Sequence, residues 1–487
     1  MSEFSEVFEA PPERLAKLSL RGALGFVGPG LIIASVTIGS GELVWASRSG
    51  AVFGYRLLWC FLVAGLFKAV QVYVGARHLT LTGEHPMRTW CRLPGPKNWF
   101  PLLIAVPTVL VMPIAFSGIS EILGGYITQL TGIELNERVW IGRFPVREFW
   151  DNLFGSLVLV VCLLLALSSS QTILERVSAA VIGLIVLSAI VSVLASSPDL
   201  AAIIQGLFVP IVPDYEPWVA TKNATFAGRS PWLEVALYLS AVGGGTFDYI
   251  GYLGMLREKD WGRCGKSAVD RETLAELSEA QMSRARLWTR APLMDTLISF
   301  LSVILVTLLF ATLGAAILHA AKEVPAQGDL LSAQEAFLEA LHPSLRYLYR
   351  GGVFLAFVGT LYGAFEIYRF TVAESVKAIG GERIRESALH GWRTATTLYC
   401  FLGGLFMVWL PSDLAGDVVG KMTFGAVLGG ATLCGLWCFA MLWTDRTQLP
   451  PALQMSKSMK ILTALGGLSM TLLGIQTLVV YFQEQLS

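Results

Sequence analysis

Charge is what this chain has least of. Only 15% of its 487 residues are Asp, Glu, Lys or Arg, against roughly a quarter in soluble domains. With 54% hydrophobic residues and a mean hydropathy of +0.60, that shortage excludes an ordinary soluble fold and indicates a polytopic membrane protein. Neither sign prevails, since Lys plus Arg and Asp plus Glu number 36 each, which argues against nucleic acid as a partner. Histidine is scarce, with five in all, and no His/Cys/Ser constellation of the kind an enzyme needs is present. The seven cysteines stand singly, most of them in apolar runs (Cys60, Cys162, Cys400, Cys434, Cys438). Without a CxxC or Cys/His ligand spacing, neither a zinc site nor a disulfide framework is indicated, and no cofactor is expected. A GxxxxGK[ST] stretch is lacking too, which disfavours an ATP-driven pump. The first twenty-odd residues are acidic, then basic, with no apolar core, so no cleaved signal peptide is expected.

Long apolar runs, by contrast, are abundant. About eleven are long enough to cross a bilayer: 24–53, 56–82, 100–131, 152–168, 175–196, 232–256, 291–319, 347–375, 393–411, 418–443 and 459–482. Basic residues mark the cytoplasmic connections. They include Arg77, Arg88, Arg92 and Lys97, then Arg176, then the cluster from Arg257 to Arg290, then Lys377 to Arg393, and finally Arg446 and Lys457. The other connections carry Asp199, Asp214 and Glu216, or Asp413 and Asp417. Arg14, Lys17 and Arg21 place the amino terminus with the basic set. The expectation is a cytoplasmic amino terminus and, after an odd number of crossings, a carboxyl terminus outside, in the plasma membrane if the source is bacterial. The Asn223-Ala224-Thr225 sequon falls in an outer loop and carries little weight alone. The expected division is a cytoplasmic segment (1–23), a five-helix half (24–196), an outer loop (197–231), a second five-helix half (232–443) and an eleventh span with the carboxyl terminus (444–487). The expected state is a monomer whose partners are lipid and a small ion or solute.

Two of the spans contain what looks like a fault. In "ASVTIGSGELVWA" (34–46), Gly39, Ser40 and Gly41 lead directly into Glu42. In "LSAVGGGTFDYIGYLGML" (239–256), Gly243, Gly244 and Gly245 precede Asp248. Each glycine costs a helix about 1 kcal/mol against alanine, and a carboxylate at mid-bilayer costs about 2.5–3.5 kcal/mol on insertion scales. Glycine in a membrane helix also serves for close packing. A glycine-acid pair repeated at matching places in two halves is, however, the mark of unwound helices that meet at the midplane to hold cargo. Both spans are therefore expected to be interrupted, with the freed backbone groups partnered by a bound ion or solute.

The flanks of the first fault resemble a known family. Gly28-Pro29-Gly30 and Phe53 through Trp59 ("FGYRLLW") are similar to the first span of the NRAMP (natural resistance-associated macrophage protein) divalent-metal transporters. Further similarity lies in "ARHLTLTGEH" (76–85), "GISEILGG" (118–125), "GLFVP" (206–210) and "ATLGA" (311–315), in order along the whole chain. The resemblance implies an all-α, LeuT-type fold of two inverted five-helix repeats plus one helix, moving cargo by alternating access. The ligand motifs depart from the family's. Gly39 stands where the family has its metal-binding aspartate and Glu42 where it has asparagine. Phe247 stands for the methionine ligand, with Asp248 and Tyr249 beside it. Gly118 replaces an acid in the third span, whereas Glu121 is retained.

The resulting candidate site comprises Gly39, Ser40, Gly41, Glu42, Gly244, Gly245, Thr246, Phe247 and Asp248, with Glu42 and Asp248 as metal ligands. Hydroxyls of Thr37, Ser40, Thr246 and Tyr249 and carbonyls near the glycines complete an all-oxygen set suited to Mg²⁺ or Mn²⁺. Glu121, Lys68, Glu366 and Arg369 are the remaining intramembrane charges considered for proton or charge relay, alongside Arg48 and Asp295. Mutual pairing is the alternative for each, Lys68 with Glu42 or Glu121, and Glu366 with Arg369 one turn away. The leading expectation is a secondary transporter of a divalent cation, with proton linkage as an adjunct. The alternative keeps the fold but carries an amino acid or organic cation covered by Trp45, Phe247 and Tyr249. A scaffold built on an inactive transporter fold is the third reading.

Overall fold

A computed structural model describes residues 6–17, 22, 25–133, 139–168, 171–222, 230–324, 330–339, 342–411 and 424–486. The Asn223–Thr225 sequon, Arg21, Asp413 and Asp417 lie outside these. The main helices in chain order are α1 (Pro29–Thr37), α2 (Ser47–Phe53), α3 (Leu58–Thr82), α4 (Trp99–Thr131), α5 (Val146–Ser168), α6 (Gln171–Ser196), α7 (Pro231–Ala241) and α8 (Thr246–Leu256). They continue with α9 (Arg290–Leu313), α10 (Leu345–Gly380), α11 (Glu386–Val408), α12 (Leu433–Gln448) and α13 (Lys457–Leu486). The one sheet among the described residues is a two-residue hairpin between α4 and α5, pairing Trp140 with Pro145 and Ile141 with Phe144. The fold is all-helical and multi-pass.

Seven helical runs among the described residues, not eleven, are long and apolar enough to cross a membrane. The difference has identifiable sources. One run, Gly41–Thr82, covers parts of the first two expected spans without a gap. The sixth is split into α7 and α8, each of 11 residues, about half of what a bilayer demands. The ninth, α11, begins on charged residues, Glu386 and Arg393.

Two groups of helices form around these elements. α3 packs on α9, which also contacts α1 and α2, while α4, α5 and α11 pack on one another. α10 joins the groups, lying against α8, α4 and α1, and α12 and α13 pair with each other and with α3. The start of α1 is tied down from two other helices. The Asp295 carboxylate of α9 accepts hydrogen bonds from the backbone N–H of Gly28 (2.8 Å) and Gly30 (3.0 Å), and from the Tyr252 hydroxyl of α8 (3.0 Å). An acid at a helix amino terminus satisfies orphan donors and opposes the helix dipole, so this buried residue is structural.

An amino-terminal strap crosses the connection between α8 and α9. Phe8 is fully buried, its N–H donates to Gln281 Oε1 (2.7 Å), and Trp288 Nε1 donates to the Glu9 carbonyl (2.9 Å). Arg263 and Arg284 donate to the carbonyls of Val7 and Phe8.

Candidate functional site

The sixth span breaks where three successive glycines predict it. α7 ends at Ala241, and Gly243 (φ +69°) and Gly244 (φ +72°) take the left-handed conformation before α8 begins at Thr246. Side chains other than glycine pay about 1–2 kcal/mol there. Asp248 closes the turn, its Oδ2 accepting from the Gly245 N–H at 2.7 Å.

The first span does not break, contrary to expectation. Between α1 and α2 the chain forms a nine-residue π-helix, Ile38–Ala46, with helical backbone throughout. Its glycines serve close approach. A Cβ on Gly39 would lie 2.2 Å from Thr360 Oγ1 of α10, and one on Gly41 would lie 2.9 Å from the Ala241 carbonyl oxygen. The Gly39 N–H donates to that Thr360 hydroxyl (3.2 Å), which itself donates to the Ser35 carbonyl (2.9 Å). The π-helix lets the first span lie against the broken sixth without unwinding.

The two acids part company here. Glu42 is fully buried; Oε1 accepts from the Gly243 N–H at 3.1 Å, and Oε2 has no hydrogen-bond partner among the described residues. It lies behind the break. Asp248 instead lines a cavity of about 130 Å³ between α1, α4, α8, α10 and the first part of the Phe424–Gln448 run that continues into α12. The Tyr368 hydroxyl stands beside this carboxylate, while Oδ1 is buried with no hydrogen bond of ordinary geometry among the described residues. Thr37, Gly41, Gly244, Gly245 and Phe247 line the same cavity, as does Trp45. The Thr37 hydroxyl donates back to its own helix, toward the Ile33 and Ala34 carbonyls, each at 3.2 Å.

Other expected site residues point elsewhere. Thr246 is buried against Cys434, with Oγ1 3.4 Å from its sulfur. Tyr249, expected over an organic cargo, sits beneath the break and donates to the Gly243 carbonyl at 2.8 Å. The Ser40 backbone belongs to the π-helix, and its side chain lies outside the described residues. Glu121 is buried on α4 but does not line the cavity. Glu366 and Arg369 pair with each other, one turn apart on α10. Arg48 finds a partner that sequence reading missed, Glu234 of α7, at 3.6 Å, with the Tyr238 hydroxyl also donating to that carboxylate (2.6 Å).

Lys68 is near enough to Glu42 and Asp248 for their charges to act on it, but its hydrogen bonds go to the main chain. Fully buried on α3, its ammonium donates to three main-chain carbonyls of the break: Ser240 (2.7 Å), Val242 (2.5 Å) and Gly244 (2.7 Å).

Sequence reading also passed over Phe116 and Tyr368, which give the cavity two more aromatic walls, and the glycines 425, 429 and 430 that complete it. The repeated glycines of "GAVLGG" (425–430) are the available signal. A Cβ on Gly429 would fall 2.5 Å from the Phe247 ring. No group of three or more His, Cys, Asp or Glu side chains suited to a metal occurs among the described residues.

The sequence pattern of the family described as "Natural resistance-associated macrophage protein-like" matches residues 30–480. The chain belongs to that family. Among NRAMP relatives, it is 26% identical over 196 residues to "Metal transporter Nramp3" of Oryza sativa subsp. japonica, covering 40% of this chain and 32% of that one. To human "Natural resistance-associated macrophage protein 2" it is 25% identical over 247 residues (49% and 40% of the two chains). To "Divalent metal cation transporter MntH" of Yersinia pestis it is 28% identical over 204 residues (42% and 44%). The matched stretch therefore spans less than half the length of each relative. In three dimensions, the Eremococcus coleocola manganese transporter, solved with an aromatic bis-isothiourea substituted compound, superposes over 99% of this chain and 91% of its own, with TM-score 0.64 and 15% identity. Mhp1, a nucleobase-cation-symport-1 family transporter, superposes over 94% and 93% with TM-score 0.50 and 14% identity. The fold of the manganese transporter thus extends over 99% of this chain.

Proposed function

We propose that this NRAMP-family chain is a secondary-active transporter, working by alternating access, whose cargo is a divalent cation of the hard, Mg²⁺ or Mn²⁺ class. One observation carries the cargo site: the buried Asp248 carboxylate, with the Tyr368 hydroxyl beside it, in a cavity at a helix break. Support for a divalent ion comes from the relatives, named as metal, divalent metal cation and manganese transporters. It comes also from the chemistry of the lining, where Asp248 is the one charged side chain and neither Met nor Cys supplies a sulfur ligand. A cavity with about 130 Å³ open to water-sized molecules has room for an ion that keeps part of its hydration shell, and Mg²⁺ retains water readily. In this reading Asp248 is the ligand that meets the cargo, while Glu42 holds the Gly243 amide behind it.

The remaining assignments belong to the same proposal. Eleven crossings form two inverted repeats, residues 24–196 and 232–443, with the π-helix of the first span facing the break in the sixth. The amino terminus is cytoplasmic and the carboxyl terminus outside, in the plasma membrane if the source is bacterial. Glu121 remains the candidate for proton relay.

A second reading is favoured by the walls. Trp45, Phe116, Phe247 and Tyr368 surround one carboxylate, an arrangement that suits a small organic cation through cation–π contacts. A thermal-shift titration of purified protein separates the two. Mg²⁺ or Mn²⁺ is expected to raise Tm saturably, an effect lost in Asp248→Asn. Stabilisation by ethylammonium or choline with indifference to every divalent ion would transfer the assignment to an organic cation.

A further inference from the structure

We propose that the Lys68 ammonium is a resident cation of the helix break, a tethered occupant of a position that a free monovalent co-ion would otherwise fill. The carbonyls at the end of a helix are orphan acceptors, and the helix dipole places about half a negative elementary charge there. In α7 that end is buried in the protein, so water is not the partner. The carbonyls of Ser240, Val242 and Gly244, at alternate positions in the chain, converge on one point. Their convergence depends on the left-handed turns at Gly243 and Gly244. Three carbonyl oxygens around a single positive charge is the environment in which unwound transporter helices hold Na⁺. Here the charge is covalently attached to α3. An ammonium has three donors, and all three are spent on these carbonyls at 2.5–2.7 Å. The backbone between them is equally committed: the Gly243 N–H goes to Glu42, and the Gly243 carbonyl accepts from Tyr249. The break is therefore closed with the protein's own groups, and Lys68 acts on the cargo cavity as a positioning residue through Gly244, which lines it. In flux terms, which rest on the transporter reading, the carrier needs no monovalent metal ion at this turn.

The binding claim is tested without transport. Wild-type protein and Lys68→Ala are purified in detergent, and Tm is titrated with NaCl, KCl and methylammonium chloride against N-methylglucamine chloride at constant ionic strength. Wild type is expected to be indifferent to the cation. Lys68→Ala is expected to melt lower and to recover saturably with methylammonium, which replaces the missing ammonium and its last carbon, or with Na⁺. A folded Lys68→Ala that no small cation stabilises would overturn the proposal, as would saturable stabilisation of the wild type by Na⁺. Should the variant not survive purification, the wild-type titration decides alone. Mn²⁺ uptake into wild-type proteoliposomes should be the same in Na⁺ and in N-methylglucamine. An absence of all uptake counts against the cargo reading and leaves the Lys68 result standing.

Discussion

The first and sixth spans carry nearly the same signal, glycines followed by an acid, and resolve it in opposite ways. In the sixth, Gly243 and Gly244 use positive φ, and the helix ends. In the first, Gly39 and Gly41 use the missing Cβ, and the helix continues as a π-helix against Thr360 and Ala241. What separates the two is the supply of partners for freed backbone groups. Around Gly243 stand Lys68, Tyr249 and Glu42, which together take its amide and the neighbouring carbonyls. Around Gly39 the side-chain partners among the described residues are the Thr360 hydroxyl, which accepts from the Gly39 N–H and donates to the Ser35 carbonyl, and Gln334, which donates to the Leu43 carbonyl; no cation is among them. A membrane helix unwinds where the surrounding protein can satisfy it, and otherwise stays wound.

The sharpest way to break the comparison is Gly243→Ala. The substitution forces alanine into left-handed backbone and drives its Cβ to 2.8 Å from the Phe300 ring. Strain of about 1–2 kcal/mol plus overpacking of about 1–3 kcal/mol should produce the largest loss of Tm of any variant here, seen in a melting curve. Next come the acids. Asp248→Asn is expected to abolish cargo-induced stabilisation, whereas Glu42→Gln, which keeps an acceptor for the Gly243 N–H, should retain most of it. Equal losses in the two titrations would put both carboxylates on the cargo. A smaller effect is expected at the π-helix: Gly39→Ala should destabilise by about 1–3 kcal/mol through the clash with Thr360. In combination with Thr360→Ala the two effects should be less than additive, because the second change removes the oxygen in the way. Additivity in the melting curves would mean that Gly39 needs something other than room.

The smallest effect lies outside the spans. Burial pushes the imidazole of His85 down from the ordinary 6.5 to about 4. Its Nδ1 accepts from the Met87 N–H, and Nε2 is 3.2 Å from the Ile250 carbonyl oxygen, roles that require the neutral ring. Between these two values the unfolded chain binds a proton that the native chain does not, so stability falls as pH drops from 6.5 toward 4. His85→Gln should show a shallower decline of Tm over that window than the wild type. Parallel Tm–pH curves would remove His85 from the acid sensitivity.

Much of the fold was legible because apolar length and basic loops are properties of segments, and a bilayer imposes them directly. The break at Gly243 was legible for a similar reason, since three glycines in a row have no comfortable place in a helix. The continuity of the first span was not, because the contact that uses Gly39 comes from Thr360, 321 residues away. Lys68 illustrates a second limit. Its charge was visible as an anomaly, but its partners are main-chain carbonyls, which every residue possesses and no sequence pattern marks. Phe116 and Tyr368 were hidden in another way, because an aromatic residue facing a cavity reads like one facing a neighbouring helix. Glu234 was missed although it pairs with Arg48, since it lies only three residues inside the start of α7 and reads there as an N-terminal acid.

The π-helix of residues 38–46 also sets the rotational phase between the two ends of its span. The run closes its hydrogen bonds i→i+5 and so turns less per residue than the α-helices that flank it, and loss of a single codon within it would change the angle between everything beyond it and Thr37. Arg48 would swing away from Glu234, although no side chain in either region had been altered. Point substitution can thus retune the lining of the hollow one residue at a time, while the length of this stretch is held fixed by the ion pair at its far end.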